Sequence, residues 1–390
     1  MFRWILLLLS CASLLLGLLT VFRSPDWFEW RLALLAGEFG YYLAVIPLAA
    51  VAGAWLRRDG HPIMTAVTLG AGVFAATLLV KPVAEAWWLA RTLPQKLERS
   101  LGHAEIARGP FSFGSLFRGR PEPVSAQTMN YAGGLMLDFY PAVGRDRAPV
   151  VLLVHGGGWD SGRRDEIAHF NHWLARRGYA VAAIDYRLAP KFTWPAQRED
   201  ISAAIAFLKA RAEKLGIDAT RIVVMGRSAG GHLAEATAYA ANDPAVRGLI
   251  ALYSPADMHF AWAYAREDDV LKSPLLLRHL LGGTPETARA NYDSASPILR
   301  VGKNTPPTLL VHGRLDTLVW YRQSERLEQK LSEAGVAHAF VSLPWATHAF
   351  EFNLNGPGGQ LATYAIEWFL ASVTRDHPPP VPLGPLSSNG

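Results

Sequence analysis

The residue with the clearest chemical potential is a serine inside a Gly-x-Ser-x-Gly pentapeptide, Gly226-Arg227-Ser228-Ala229-Gly230. An apolar segment of strand character, residues 222–225, leads directly into this motif, and a helix-forming stretch follows it. A serine on the tight turn between a strand and a helix exposes its hydroxyl as a nucleophile. The flanking glycines are needed because side chains there would collide with neighbouring backbone. The motif alone occurs by chance, but this context predicts that Ser228 is a catalytic nucleophile.

A second glycine-rich segment follows the apolar run at residues 150–154, and its sequence is His155-Gly156-Gly157-Gly158-Trp159. Glycines let the backbone approach a substrate and direct N–H groups at an oxygen that becomes negative during acyl transfer. A phosphate-binding loop is the alternative, but the sequence has neither its Lys-Ser/Thr pair nor a dinucleotide-type spacing. We predict an oxyanion hole formed by the backbone N–H groups of Gly157, Gly158 and Ala229.

A serine nucleophile of this kind requires a general base and an acid that orients it, in the chain order serine, acid, histidine. Asp316 follows the apolar run at residues 308–311, and His348 follows the run at residues 339–343. Sites in open α/β sheets assemble beyond the carboxyl ends of the strands. These positions predict a triad in which His348 takes the proton of Ser228 and Asp316 holds the tautomer of the histidine.

Three other titratable residues near these motifs are weaker candidates. His312 ends a strand and is expected to be structural, and His232 is expected to face the surface of the helix after Ser228. Asp257 is an alternative acid, but an insertion separates it from the strand that leads to Asp316. We therefore favour Asp316 and His348.

Strands and helices alternate through the part of the chain that carries these motifs. Helical stretches at residues 200–215 and 321–334 lie between continuous apolar runs, which are typical of strands buried on both faces. This alternation predicts an α/β fold with a mostly parallel sheet covered by helices on both faces. The apolar runs are residues 150–154, 180–184, 221–225, 248–253, 308–311 and 339–343.

Charge and cysteine content narrow the possible partners. The formal net charge is +5, but the sequence has no dense block of Lys and Arg, so nucleic acid is not an expected partner. The single cysteine, Cys11, excludes an intrachain disulfide framework and a zinc site built on paired cysteines.

The first eighty residues are strongly apolar and contain three uncharged stretches, residues 4–22, 39–56 and 63–80. Each is near the length that spans a hydrocarbon core of about 30 Å as a helix. A signal peptide followed by two buried helices is the alternative, but no small-x-small cleavage site follows the first stretch. The sequence therefore predicts about three transmembrane helices.

Basic residues predict the orientation of these helices. Arg57 and Arg58 lie between the second and third stretches, and Arg3 precedes the first, so both positions are expected on the cytoplasmic side. An odd number of spans then places the following domain on the outer side, which is the periplasmic side of the inner membrane if the source is bacterial. Four basic residues after the third stretch argue weakly against this orientation: Lys81, Arg91, Lys96 and Arg99.

The motifs together resemble the hormone-sensitive-lipase-like and BD-FAE-type branch of the α/β-hydrolases, over about residues 130–373. The resemblance implies hydrolysis of a small-molecule or lipid ester through an acyl-enzyme, without a metal or organic cofactor. It also implies that the Asp-Tyr-Arg segment supports the site and is not part of the triad. The matching motifs are the glycine loop at 155–159, Asp185-Tyr186-Arg187-Leu188-Ala189-Pro190, Trp194-Pro195-Ala196, Gly226-Arg227-Ser228-Ala229-Gly230-Gly231, His312-Gly313-Arg314-Leu315-Asp316 and His348.

The chain departs from that resemblance in two places, its membrane region and an insertion at residues 257–292. The insertion is rich in aromatic residues and leucine, and it predicts either a lid that shapes the substrate pocket or additional helical packing. The predicted division is a membrane region at 1–82, a linker or lid segment at 83–125, an α/β-hydrolase catalytic domain at 126–375 and a disordered Pro-rich tail at 376–390.

A membrane-anchored serine esterase is the leading hypothesis for function. An amidase or formamidase with the same triad is an alternative, because the two reactions differ only in protonation of the leaving group. A non-catalytic hydrolase-like binding domain is disfavoured because every triad member is present. A transporter is disfavoured because the apolar stretches carry few polar residues.

Overall fold

The apolar runs of the sequence form neighbouring strands of one eight-stranded sheet. The structure is a computed structural model, and it describes residues 1–58 and 61–375. The strand order is β1-β2-β4-β3-β5-β6-β7-β8. The strands from β4 to β8 run parallel to one another, and β1 and β2 add an antiparallel edge next to β4. The strands are β1 (Gln127–Ala132), β2 (Leu135–Tyr140), β3 (Ala148–Val154), β4 (Ala180–Ile184), β5 (Ile217–Arg227), β6 (Val246–Leu252), β7 (Thr308–Gly313) and β8 (His338–Leu343).

All six predicted strands are present, as β3 to β8, which confirms the mostly parallel sheet. The sequence did not predict β1 and β2. Neither segment is a continuous apolar run: β1 is an edge strand whose first four residues are largely exposed, and Asp138 interrupts the apolar residues of β2. An edge strand with one exposed face lacks the uniform apolarity that marks a central parallel strand.

Alternate residues of the central strands face two separate hydrophobic layers. On one face, Leu152 and Val224 pack with α6 (Ala196–Ala210), α8 (Ala229–Ala241) and α12 (Arg322–Glu333). On the other face, Val151 and Val223 pack with α4 (Pro62–Leu101), α5 (Ala168–Arg176) and α13 (Pro357–Val373). The helices that follow β3 in the chain are α5 (Ala168–Arg176), α6 (Ala196–Ala210), α7 (Ala212–Leu215), α8 (Ala229–Ala241), α9 (Met258–Tyr264), α10 (Ser273–Leu281), α11 (Arg289–Ser294), α12 (Arg322–Glu333) and α13 (Pro357–Val373).

Four helices precede the sheet: α1 (Phe2–Leu18), α2 (Trp27–Leu43), α3 (Val45–Leu56) and α4 (Pro62–Leu101). Among the described residues, only α4 is by itself long and apolar enough to cross a membrane. Helices α2 and α3, bent by 50° at their junction, would make a second span if they are counted as one, and α1 is a shorter apolar helix. The prediction of three spans therefore exceeds what helix length and composition support.

The second half of α4 corrects the predicted linker. The boundary drawn between residues 82 and 83 falls inside this 40-residue helix. Its residues Leu93, Leu97 and Leu101 are buried in the same hydrophobic layer as α13. Residues 83–101 are therefore a packed helix, because their apolar side belongs to the core of the sheet domain. The predicted tail, residues 376–390, lies outside the described residues.

Helix α2 is also attached to the sheet domain. The buried carboxyl group of Glu38 accepts hydrogen bonds from the backbone N–H groups of Gly358 (2.9 Å) and Gly359 (3.4 Å) at the start of α13. The side-chain amide of Asn353 donates to the carbonyl oxygen of Glu38 (2.8 Å). The first turn of a helix carries N–H groups without partners inside the helix, so a carboxyl oxygen is a suitable acceptor there. These contacts hold α2 against the start of α13.

Candidate active site

Ser228 lies on the turn between β5, which ends at Arg227, and α8, which begins at Ala229. Its backbone has φ 53° and ψ −123°, a strained conformation for a non-glycine residue. A Cβ at position 226 would lie 2.1 Å from the carbonyl oxygen of Gly230, and a Cβ at position 230 would lie 2.2 Å from that of His155. The two glycines are thus required by the close approach of neighbouring backbone, as the sequence pattern predicts.

Asp316 is buried in the loop after β7 and contacts the imidazole ring of His348. Its Oδ2 lies 2.7 Å from Nδ1 of His348, and its Oδ1 accepts hydrogen bonds from the backbone N–H groups of Leu318 (2.8 Å) and Val319 (2.9 Å). Burial raises the pKa of Asp316, but the electrostatic interactions and hydrogen bonds with His348 and His312 outweigh this effect. The pKa therefore lies well below its usual range, and the carboxylate stays ionised at neutral pH.

His348 is oriented by this carboxylate and by an aromatic ring. With Nδ1 donating to Asp316, the neutral imidazole has Nε2 available as a base. The ring of Tyr253 lies against it, with 4.1 Å between the ring centroids. His348 and Ser228 line the same cavity, although within residues 1–58 and 61–375 they do not form a hydrogen bond with each other. Such bonds are often long before a substrate binds.

The glycine loop after β3 lines that cavity as well. Gly157 has φ 101° and Gly158 has φ 58°, and a Cβ at position 157 would lie 2.3 Å from the carbonyl oxygen of Ser161. Ala229 is the first residue of α8, so its N–H group has no acceptor inside the helix. The three predicted oxyanion donors are therefore gathered around Ser228.

The weaker candidates of the sequence lie outside the cavity. His312 is buried at the end of β7, with Nε2 3.2 Å from Asp316 Oδ2 and Nδ1 2.7 Å from Ser324 Oγ, so it supports the acid. The prediction for His232 is wrong. This residue is fully buried and accepts a hydrogen bond from Nε1 of Trp159 (3.1 Å), because α8 is covered along most of its length. Asp257 caps α9 and forms an ion pair with Arg326 at 2.8 Å.

A buried ionic group beneath His348 is the part of the site that sequence reasoning missed. Nε of Arg227 lies 3.1 Å from Oε1 of Glu351, and the hydroxyl of Tyr253 donates to the same carboxylate oxygen. The ring of Tyr253 in turn packs against His348. An arginine at the end of a buried strand does indicate a hidden acidic partner, but its identity does not follow from the local pattern.

Two cavities meet at Ser228. We name the smaller one the inner cavity; it has a volume of about 180 Å³ and is lined by Phe260, Tyr264, Leu276 and Trp320 together with Ser228. Helices α9 and α10 of the 257–292 insertion thus form a pocket wall, although Leu277 and Leu280 of the same insertion are core residues. The structure therefore combines the two interpretations of this insertion.

We name the larger cavity the outer cleft. It has a volume of about 410 Å³ and contains His348 and the glycine loop. Trp27 and Trp30 of α2 form part of its wall. The N-terminal helices therefore contribute directly to the surroundings of Ser228. Across the described ranges, no group of three or more His, Cys, Asp or Glu residues is placed to hold a metal ion.

Comparison with protein families gives one match, in which the model described as BD-FAE covers residues 137–331, half of the chain. Among curated proteins, the probable carboxylic ester hydrolase LipM of Mycobacterium tuberculosis is 31% identical over 243 residues, 58% of this chain and 54% of that protein. Esterase LipC of the same organism is 33% identical over 58% of this chain and 59% of its own length. The chain thus spans only a little more than half the length of these relatives.

Solved structures show the same fold. A bacterial heroin esterase superposes with a TM-score of 0.54 at 27% identity and covers 63% of this chain and 83% of its own. Esterase LipW from Mycobacterium marinum has a TM-score of 0.55 at 25% identity and covers 74% of this chain and 90% of its own. These likenesses show an α/β-hydrolase fold, as the motifs of the sequence predict.

Proposed function

The chain belongs to the BD-FAE family of α/β-hydrolases, and from that membership we propose that it is a serine hydrolase of carboxylic esters. The observation that carries the proposal is the 2.7 Å contact between Asp316 and His348 at the edge of the cavity that contains Ser228. The relatives named as esterases support the same reaction class.

In the proposed mechanism Oγ of Ser228 attacks the ester carbonyl carbon while Nε2 of His348 takes its proton. The carbonyl oxygen becomes negative and is stabilised by the N–H groups of Gly157, Gly158 and Ala229. The bond to the alcohol oxygen then breaks, His348 donates the proton to that oxygen, and an acyl-enzyme remains. Water attacks the acyl group with His348 again as base, which releases the carboxylic acid and restores Ser228.

Hydrolysis rates of an ester and an amide distinguish an esterase from an amidase when the two substrates share an acyl group and have matched leaving groups. We expect the full-length protein to hydrolyse the ester with the higher kcat/KM, because an alcohol leaves more readily than an amine. A higher value for the amide would favour an amidase or formamidase that uses the same residues.

Substitution of Gly157 by alanine tests the proposed oxyanion hole. The new Cβ would meet the Ser161 carbonyl, and φ 101° is unfavourable for alanine, so the N–H group must move. We expect kcat to fall by about 10²–10³-fold. Gly216→Ala is the matched control, since position 216 also has a positive φ (63°) but has no atoms within 4 Å of an added Cβ. Equal activities of the two variants would contradict the assignment.

We further propose that the N-terminal helices anchor the enzyme in a membrane, with the catalytic domain on the outer side. Arg3 donates to the carbonyl oxygen of Arg57 at 3.1 Å, so the two basic ends lie together. The loop between α1 and α2 lies next to the catalytic domain, where Ser24 Oγ is 3.1 Å from Thr317 Oγ1. The positive-inside rule puts the end of the helices that carries these arginines in the cytoplasm. The catalytic domain lies at the opposite end of the helices and would therefore face the outer side.

Fusions to alkaline phosphatase test this orientation, because that enzyme becomes active only outside the cytoplasm. A fusion after Val373 is expected to be active, and a fusion after Arg58 is expected to be inactive. The opposite pair of results would place the catalytic domain in the cytoplasm.

A further inference from the structure

The reaction assigns the two cavities at Ser228 to different parts of the ester. This step rests on the proposed function. His348 has to donate a proton to the leaving alcohol oxygen, so the alcohol must lie on the side of Ser228 where His348 is. His348 lines the outer cleft and is not among the residues that line the inner cavity. The acyl group therefore occupies the inner cavity, and the alcohol occupies the outer cleft.

The outer cleft has an aromatic wall that the catalytic domain does not supply. Trp27 and Trp30 belong to the first turn of α2, and their rings pack edge to face with 5.2 Å between centroids. The carboxylate of Asp26 caps this turn by accepting from the N–H group of Glu29 at 2.8 Å. The preceding Ser24 is bonded to Thr317 of the catalytic domain. These bonds fix the tryptophan pair on the wall of the cleft that His348 also lines.

The chemistry of the cleft indicates which alcohols it accepts. Apolar side chains line it beside the tryptophans, among them Ile167, Leu271 and Leu318. Its charged side chains include the carboxyl groups of Asp160 and Glu166, and its arginine, Arg227, is already paired with Glu351. An anionic alcohol such as a phosphate-bearing one would meet like charge and no free cation among the lining residues of the described chain. A large, neutral, apolar alcohol matches the wall.

We infer that Trp27 and Trp30 bind the alcohol part of the substrate, and that the enzyme acts on esters of large, neutral, apolar alcohols. The N-terminal region then has two roles: it anchors the enzyme and it completes the substrate site. Two indole rings offer extensive apolar contact surface at small cost in side-chain freedom. Their place on a helix of the apolar N-terminal region puts the cleft where apolar alcohols concentrate.

The test compares ethyl acetate with 2-(1-naphthyl)ethyl acetate, which share an acyl group and a primary alkyl leaving oxygen. The full-length protein is assayed in detergent micelles, and each rate is divided by the amount of serine that a fluorophosphonate labels, so that misfolded material does not count. In the double variant Trp27→Ala/Trp30→Ala, we expect kcat/KM for the naphthyl ester to fall about tenfold more than kcat/KM for ethyl acetate.

The matched control is Trp87→Ala/Trp88→Ala, which removes another neighbouring pair of tryptophans, 5.4 Å apart, from α4. These rings do not line the outer cleft, so the ratio of the two rates is expected to equal that of the wild type. A series of ethyl esters of longer acids should show the same acyl preference in all three proteins.

The outcomes separate the two proposals. If the wild type hydrolyses both acetates and the ratio is the same in all three proteins, the inference is overturned and the esterase function stands. A change of acyl preference in the Trp27→Ala/Trp30→Ala variant without a change in alcohol preference also overturns it. If the wild type hydrolyses no ester, the proposed function fails, and the inference fails with it.

Discussion

Replacement of Ser228 by alanine is expected to lower ester turnover by about 10⁶-fold, the loss found when a serine nucleophile is removed from a triad. The turn between β5 and α8 would keep its shape, but it would carry no oxygen to attack the substrate. Turnover of p-nitrophenyl acetate and labelling by a fluorophosphonate measure the effect, and both should be lost together.

Ser202→Ala is a suitable control for this experiment. Ser202 lies on the exposed side of α6, where its hydroxyl donates to the carbonyl oxygen of Arg198. This variant should be labelled and should turn over substrate like the wild type. A purified Ser228→Ala protein that hydrolyses the ester at the wild-type rate would show that another residue is the nucleophile.

Replacement of Asp316 by asparagine is expected to lower kcat by about 10⁴-fold. The carboxylate now accepts from Nδ1 of His348, and an amide could present its NH₂ group there and stabilise the wrong tautomer. Nε2 would then carry the proton and could not act as a base toward Ser228. The measurement is kcat under saturating substrate, since the change affects the chemical step.

Asp257→Asn provides the comparison, because Asp257 is the other acid that the sequence offered. It caps α9 and pairs with Arg326, so its substitution should reduce thermal stability and change kcat by only a few-fold. A large loss of kcat in Asp257→Asn together with normal turnover in Asp316→Asn would reverse the assignment of the acid.

The sheet could be predicted from the sequence because its central strands are buried on both faces. A strand such as β3 is apolar at every position, and that pattern is local. The turns at the carboxyl ends of these strands carry the glycines and the polar residues of the site, so their order along the chain also indicated which ones meet. The two antiparallel strands lack this uniform pattern, because β1 has an exposed face and Asp138 interrupts the apolar residues of β2.

Contacts between distant segments were beyond local patterns. Tyr253 and Glu351 are 98 residues apart in the sequence, and only the folded structure shows that the Tyr253 hydroxyl donates to the carboxylate of Glu351 beneath His348. His232 was misjudged for a related reason: whether a helix has a free face depends on what packs on it, and α8 is covered on nearly all sides. The attachment of α2 was missed because an apolar helix looks the same whether lipid or protein covers it.

The bond between Glu38 and the first turn of α13 has a consequence for how the chain is made. Its two partners are about 320 positions apart, so about 320 further residues must be synthesised before α2 can meet α13. Contacts of such high sequence separation form late and slowly. Until then the wall that α2 supplies beside Ser228 is not in place. The candidate site is therefore complete only after α13 has been synthesised, and a nascent chain that ends before this helix has an unfinished pocket.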